Sequence, residues 1–112
     1  MPHDRDAETV TDIILACHRV QQFAADMDRD AFLEDAKTQS AIIHQLLIIG
    51  EAAGRLSASF QSQHPEVPWQ QIRGMRNHLV HVYDDIDLDE VWQTVERDVP
   101  HLLDHLQKIT GH

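Results

Sequence analysis

The apolar residues of this chain recur at steps of three and four, and no stretch alternates with the period of two that marks a half-buried β-strand. The first segment shows the pattern most clearly, in the series Val10, Ile13, Ile14, Cys17, Val20 and Ala24. The chain has 112 residues, of which 42% are hydrophobic and 25% charged, so its length and composition are those of an ordinary globular domain. We therefore predict an all-α protein in which residues 1–112 form a single helical domain.

Further apolar stripes predict the positions of the other helices. The longest runs from about Thr38 to Phe60, the next follows Pro68, and the last begins after Asp87, a predicted N-cap. A short helix capped by Asp30 is expected before the longest one, and residues 57–67 are expected to form a polar loop. With the N-terminal helix, these elements predict an antiparallel bundle of four main helices plus one short helix.

The longest predicted helix is apolar on two sides. One stripe consists of Ile42, Leu46, Ile49, Ala53, Leu56 and Phe60, and the second of Ile43, Leu47, Gly50 and Gly54. A helix with two apolar faces has two packing surfaces. We expect the first stripe to face the core. The second either faces another subunit, which its glycines would allow to approach closely, or marks the central helix of a bundle.

Charge and cysteine content limit the possible functions. Nine Lys and Arg against 19 Asp and Glu give a formal net charge of −10, and a strongly negative body repels nucleic acids. Any RNA contact therefore needs a local basic site or the help of a partner. Cys17 is the only cysteine, which excludes an internal disulfide framework and a Cys-rich zinc site. Its place on an apolar stripe predicts a core position.

The sequence shows no membrane or export segment. No apolar run approaches the roughly 18–20 residues that a membrane span requires. The N-terminus has no basic region followed by an apolar one, as a secretory signal would have. We therefore expect a cytoplasmic protein without membrane contact.

One segment, residues 73–83, gathers two Arg, two His, an Asn and a Tyr in an otherwise acidic chain. Arg73, Asn77 and His81 are spaced i, i+4, i+8, so on a helix they share one polar strip. Arg76 lies between this strip and the apolar face. A second copy of the segment, brought in by dimerisation, could complete the site.

Arginine and histidine together suit the chemistry of a phosphodiester. A guanidinium binds phosphate oxygens with two parallel hydrogen bonds and stabilises charge that builds in the transition state. An imidazole titrates near neutral pH and can take or give a proton. RNA supplies its own nucleophile, the ribose 2′-hydroxyl, so no metal is needed. By spacing alone, however, the catalytic interpretation is weak, since most helices with such arginines and histidines are solvated faces.

Motifs along nearly the whole chain resemble the HepT-like family of HEPN domains, the toxin halves of bacterial toxin–antitoxin pairs. They are Phe32-Leu33-Glu34-Asp35, Ile48-Ile49-Gly50-Glu51-Ala52, Pro68-Trp69 and Gly74-Met75-Arg76-Asn77. The family signature, Arg, four residues, His, any residue, Tyr, is present as Arg76, His81 and Tyr83.

The resemblance implies an HEPN-like homodimer that acts as a metal-independent endoribonuclease without a cofactor. It is the toxin of a type II pair, neutralised by an MNT-type nucleotidyltransferase antitoxin. By this resemblance Arg76 binds the scissile phosphate and His81 is the general base or acid. Asn77 holds the phosphate or orients His81, and Tyr83 is the tyrosine that the antitoxin modifies with AMP. Arg73 is a further candidate RNA contact.

Other interpretations of the same residues remain open. His81 can be a capping or core histidine, Tyr83 a buried tyrosine with a bonded hydroxyl, and Asn77 a residue that only holds the helix end. Arg73 can form a surface ion pair. The whole protein can be a non-catalytic HEPN binding module that serves a nucleotidyltransferase as partner or target-recognition subunit.

A metal site is the remaining alternative. His101, Asp104 and His105 resemble a weakened inverse zinc-protease pattern, with two histidines at i, i+4. Aspartate is shorter than the expected glutamate, and no third ligand is evident. Pro100 and the leucines around the pair favour a packed helix, so we predict no metal.

Overall fold

The computed structural model describes residues 3–81 and 86–111, with the side chains of residues 5–75, 79 and 86–111. All elements in these ranges are helical: α1 (His3–Ala24), α2 (Arg29–Leu33), α3 (Ala36–Arg55), α4 (Ala58–Gln63), α5 (Trp69–His81), α6 (Leu88–Gln93), a π-helical turn (Thr94–Asp98) and α7 (Val99–Thr110). The last three elements follow one another without a gap, and we call them together the C-terminal helix. The prediction of an all-α protein is confirmed.

The predicted apolar stripes form the core. The first stripe of α3 is buried from Ile42 to Leu56, and no member of it on this helix is more than 4% exposed. α3 packs against both α1 and α5, and α1 also contacts the C-terminal helix. α2 packs against α3 and α6, where Arg29 forms an ion pair with Asp89. Each large aliphatic side chain buried in this way contributes about 1.5–3 kcal/mol.

Cys17 lies in this core, as predicted. Its side chain is fully buried and forms no disulfide. Burial disfavours the charged thiolate and raises the pKa of Cys17 to about 12. The thiol is therefore a packing group and not a nucleophile at neutral pH.

The longest helix ends earlier than predicted. α3 stops at Arg55, Leu56 is extended, and the predicted loop contains the short helix α4. Ser57 caps α4, since its Oγ accepts a hydrogen bond from the Phe60 N–H at 3.0 Å. The described ranges thus hold the predicted bundle of four long helices and the short helix α2, with a second short helix, α4, where a loop was expected.

A carboxylate from α1 fixes this break. The Ser57 N–H donates to Asp6 Oδ1 at 2.9 Å, and the Ser57 hydroxyl donates to Asp6 Oδ2 at 2.6 Å. Asp6 is 5% exposed, so these bonds compensate the loss of water around its charge. Because Asp6 lies near the start of α1 and Ser57 just beyond α3, the two helices run antiparallel.

Aspartates begin three other helices. Asp28, and not the predicted Asp30, caps α2 by accepting from the Ala31 N–H at 2.8 Å. Asp30 lies in the first turn of α2, where the helix dipole stabilises its negative charge. Asp35 caps α3, and hydrogen bonds from the backbone and hydroxyl of Thr38 lower the pKa of this carboxyl. Asp87 caps α6 as predicted.

A π-helical turn lies in the C-terminal helix just before Pro100. Proline lacks the N–H that an α-helix uses and crowds the preceding turn. A π-helical turn widens the helix at that point, so the chain continues directly into α7 without a break in the helix.

Candidate active site

The helix α5 carries the segment that the sequence singled out. The backbones of Arg73, Arg76, Asn77 and His81 all lie within it. Arg76 and His81 are five residues apart, which corresponds to about 7.5 Å along the helix axis. Arg73, Asn77 and His81 occupy consecutive turns on one side of the backbone, as the spacing predicted.

The apolar side of α5 is also as predicted. Ile72 and Leu79 are buried, and Met75 packs partly against the core. The side chains of Arg76, Asn77 and His81, and the whole of Tyr83, lie outside the described residues. Their assigned roles therefore stay predictions.

An aromatic cluster holds the first turn of α5. The Trp69 indole Nε1–H donates to the His64 carbonyl at 2.9 Å, and its ring centroid lies 5.9 Å from that of Phe60. Phe60 also contacts the His64 ring, at 4.6 Å between centroids. α5 begins at Trp69 and not at Pro68, whose carbonyl accepts from the Ile72 N–H at 3.1 Å. The short helix α4, unexpected from the sequence, thus positions the candidate catalytic helix.

The stem of Arg73 lies near Gly54 of α3. A Cβ on Gly54 would meet Arg73 Cδ at 3.9 Å, an ordinary van der Waals distance, so this contact does not require a glycine. The Arg73 side chain is exposed, and no carboxylate of the described residues forms a salt bridge with it. Gly50 is buried within the subunit and Gly54 is exposed. The role of the glycine pair at a subunit interface stays a prediction.

The second stripe of α3 borders an open surface. Ile43 and Leu47 are half-buried and, with Ile86 and Leu88, line a shallow hollow of about 410 Å³. Ile86, which lines this hollow, directly follows residues 82–85, which lie outside the described residues.

A deeper cavity of about 290 Å³ separates α5 from the C-terminal helix. Its floor is apolar, with Ile49 of α3, Ile72 and Met75 of α5, and Leu102 of α7. Polar side chains surround the opening, among them Gln71, His101 and His105. Sequence reasoning missed this site because it considered the two histidines only as metal ligands. The sequence did offer one indication, since Gln71 directly precedes Ile72 of the apolar stripe and so predicts a polar side chain at the border of the buried face of α5.

The metal alternative finds no geometric support. Among the side chains that the structure describes, those of residues 5–75, 79 and 86–111, no three His, Cys, Asp or Glu come together in a way that could hold a metal ion. Asp104 instead pairs with Lys108 at 3.0 Å, and Leu102, Leu103 and Leu106 are buried, as expected for a packed helix. Residues 3–81 and 86–111 contain no helix with the length and apolarity that crossing a bilayer demands.

Comparison with known proteins identifies the family. The profile described as Ribonuclease HepT-like matches residues 13–109, which extend from α1 into α7. The chain belongs to the HepT-like ribonuclease family. No solved structure matches it significantly.

Curated relatives of this HepT-like chain carry ribonuclease names. It is 38% identical over 98 residues to a probable ribonuclease HepT from Thermococcus cleftensis, covering 88% of this chain and 89% of the relative. It is 36% identical over 98 residues to a protein of Methanocaldococcus jannaschii named as an RNase, covering 88% and 81%. A Caldanaerobacter subterraneus protein, also named as an RNase, is 30% identical over 97 residues, covering 87% of each chain.

Proposed function

We propose that this protein is a metal-independent endoribonuclease that cleaves RNA through attack of the ribose 2′-hydroxyl on the adjacent phosphate. The observation that carries the proposal is membership of the HepT-like ribonuclease family together with the Arg76 and His81 signature on one uninterrupted helix. Cys17 is buried and protonated, so it is not a candidate nucleophile for this chemistry.

In this mechanism His81, as a neutral imidazole, accepts the 2′-hydroxyl proton as the oxygen attacks phosphorus. Arg76 binds the non-bridging oxygens and stabilises the charge that builds on them. The P–O5′ bond breaks, and the 5′ oxygen takes up a proton. The products are a 2′,3′-cyclic phosphate and a 5′-hydroxyl. Asn77 orients the phosphate or His81.

The active form in this proposal is a homodimer in the cytoplasm, with the two copies of α5 contributing to a shared cleft. The half-buried Ile43, Leu47, Ile86 and Leu88 around the hollow on α3 support a surface that a second copy covers. A dimer doubles the formal net charge of −10 per chain and so does not reduce the long-range repulsion of RNA, but it brings two copies of the arginine-bearing helix together as a local basic site.

The proposal is tested by incubating purified protein, free of any nucleotidyltransferase, with RNA in the presence of EDTA. We expect wild-type cleavage to persist and the Arg76→Ala and His81→Ala variants to lose at least about a hundredfold in rate. Arg97→Ala, which removes an exposed arginine from the π-helical turn, is the matched control and should cleave normally. Equal cleavage by all three variants would refute the catalytic assignment, and loss of wild-type cleavage in EDTA would refute the metal-independent mechanism.

We further propose that a MNT-type nucleotidyltransferase acts as antitoxin in a type II pair by transferring AMP to Tyr83. The added bulk and negative charge beside Arg76 would repel the RNA phosphate. Tyr83 is the only tyrosine of the chain, so the Tyr83→Phe variant has no phenolic hydroxyl that could accept AMP. Co-expression with the nucleotidyltransferase should add AMP mass to the peptide containing Tyr83 and not to the variant. AMP found on any other residue would contradict the assignment.

One observation favours a second function. The strongly acidic composition disfavours unaided RNA binding, which suits a non-catalytic module that presents a target to a nucleotidyltransferase. The EDTA experiment separates the two functions, because the binding module would not cleave RNA at any concentration.

A further inference from the structure

The cavity between α5 and the C-terminal helix has the build of a binding site. Its volume of about 290 Å³ is near the lower limit of the roughly 300–1,000 Å³ that small-molecule sites occupy. The floor of Ile49, Ile72 and Leu102 is buried, while Gln71 and His101 at the opening are exposed. Apolar surface inside and polar groups around the edge are the usual arrangement of a site that holds one ring system.

The charges around the cavity exclude two ligand classes. None of the described residues that line it is Lys or Arg, and Asp98 adds a carboxylate, so a phosphate would meet no permanently cationic side chain and would face a negative charge there. The histidines His101 and His105 are one helical turn apart, but no third donor joins them within the part of the chain that the structure describes. A neutral ligand fits these surroundings better than an anion or a metal ion.

We propose that this cavity takes a nucleobase of the RNA substrate. A base is planar and apolar on its faces, which matches the floor formed with the Met75 thioether, and imidazoles of His101 and His105 offer rings for stacking. The edge of a base presents donors and acceptors. The Gln71 amide can donate to an acceptor of the base and accept from one of its donors. The Asp98 carboxylate can accept from an exocyclic amino group. The inference rests on the proposed function only in naming RNA as the source of the base.

The π-helical turn provides a second observation. Its first and last residues, Thr94 and Asp98, both line the cavity. Pro100 gives the turn a local cause, but such turns occur frequently at functional sites, where they redirect side chains. Here the turn brings a hydroxyl and a carboxylate to the same opening.

The position along α5 links the cavity to the signature. Gln71 precedes Arg76 by five residues, or about 7.5 Å along the axis. The same five residues turn the helix by about 140°, so an RNA strand that contacts both positions has to follow the surface of α5 around its axis. In this proposal a base held beside Gln71 belongs to a nucleotide near the scissile phosphate. The cavity would thus select the base next to the cleavage point.

Methyl NMR tests this binding without requiring cleavage. Full-length protein labelled at the methionine methyls is titrated with adenosine, guanosine, cytidine and uridine, and separately with inorganic phosphate. Met75 lines the cavity, whereas Met27 lines a different hollow beside α2 and serves as an internal reference. We expect at least one nucleoside to shift the Met75 resonance while Met27 stays unchanged, and phosphate to shift neither.

Two neighbouring glutamines provide matched variants. Gln71→Ala should weaken the nucleoside affinity about three- to tenfold, the effect of one lost hydrogen bond. Gln70→Ala removes an exposed glutamine that does not line the cavity and should bind as wild type does. In RNA cleavage, Gln71→Ala should reduce the preference among four oligonucleotides that differ only at the base beside the cut, and Gln70→Ala should keep it.

Several results would overturn the inference. These are an unchanged Met75 resonance at millimolar nucleoside, equal affinities of the two glutamine variants, a shift that needs Zn²⁺ and disappears with EDTA, or a shift that depends on protein concentration alone. The last would assign the cavity to a second copy of the chain. Nucleoside binding in a protein that cuts no RNA would refute the proposed function and leave the cavity assignment intact.

Discussion

Arg73 is an exposed cation one turn ahead of Arg76 on the helix that carries the signature. Its stem lies against α3 at Gly54, and its guanidinium has no carboxylate partner among the described residues. The surface ion pair considered from the sequence is therefore not formed there. In a chain of net charge −10, such a group is suited to guide an RNA phosphate toward the helix.

We expect Arg73→Gln to weaken RNA binding and to lower the slope of log affinity against log salt concentration by about one, the effect of one lost phosphate contact. The cleavage rate at saturating RNA should stay unchanged. Fluorescence anisotropy at several salt concentrations measures the slope, with Arg97→Gln as the control. If both variants give the wild-type slope, Arg73 does not contact RNA.

The buried thiol of Cys17 makes stability depend on pH in the alkaline range. Its pKa is raised from 9.0 to about 12, so above pH 9 the unfolded chain loses a proton that the folded protein retains. The thiol's contribution to stability is therefore complete below about pH 9 and is lost as the pH rises toward 12. Within that window it declines by about 1.4 kcal/mol per pH unit.

Cys17→Ala should remove this part of the pH dependence. Urea unfolding of the variant and the wild type at several pH values between 8 and 11 measures the difference in unfolding free energy. The variant is expected to be less stable at pH 8, because it leaves a small cavity, and the gap should narrow as the pH rises. A constant gap would show that the thiol does not ionise on unfolding.

At the scale of elements, α4 connects the core to the signature helix. Ser57 caps α4 and is itself held by Asp6, and the residues of α4 and its C-cap, Phe60 and His64, then contact Trp69 at the start of α5. The orientation of α5 therefore depends on a six-residue helix that could not persist alone.

We expect Ser57→Ala to lower the unfolding free energy by about 1 kcal/mol through loss of the N-cap, and somewhat more because Asp6 loses its hydroxyl partner. Ser59→Ala changes an exposed serine inside the same helix and should have little effect. Thermal unfolding of the two variants provides the comparison. Equal melting temperatures would mean that the cap does not hold α4.

The sequence predicts the parts of this fold that periodicity controls. The stripes of α1 and α3 and the cap at Asp87 are in place, because side-chain burial and local capping are encoded within a few residues. The break after Arg55 was not predictable, since the carboxylate that stabilises it comes from Asp6, 51 residues before Ser57. The sequence pattern does not distinguish Asp28 from Asp30 as the N-cap of α2. The backbone geometry shows that Asp28 is the cap.

The candidate site was predicted unevenly for the same reason. Spacing placed Arg73 and Ile72 on the polar and buried sides of α5, where the structure has them. The cavity was not predicted, because it depends on how far the C-terminal helix stands from α5, a distance that no local pattern encodes. His101 and His105 were therefore assigned to a packed helix without a metal, and the cavity that they border was not foreseen.

At the scale of the whole molecule, the proposed dimer requires a surface on which a second copy can pack. The half-buried residues around the hollow on α3 provide an apolar surface for it, and an exposed Leu15 on α1 lies on another helix. The proposed dimer would cover the first surface and leave Leu15 in solvent.

We expect Leu47→Glu to shift the protein toward a monomer of 12.9 kDa, because a carboxylate would be buried in the interface without a partner. Cleavage should fall with the dimer population if the site is shared. Leu15→Glu is the matched control and should keep both dimerisation and cleavage. Sedimentation velocity measures the masses. A Leu47→Glu protein that remains dimeric would place the interface elsewhere.

The hydrogen bonds between Ser57 and Asp6 also impose an order on folding. They close a loop of 51 residues, and the entropy lost in closing it is offset only when α1 packs along α3. The bonds from Ser57 to Asp6 therefore form only once α1 and α3 lie side by side, so a variant that separates these two helices also frees the N-cap residue of α4.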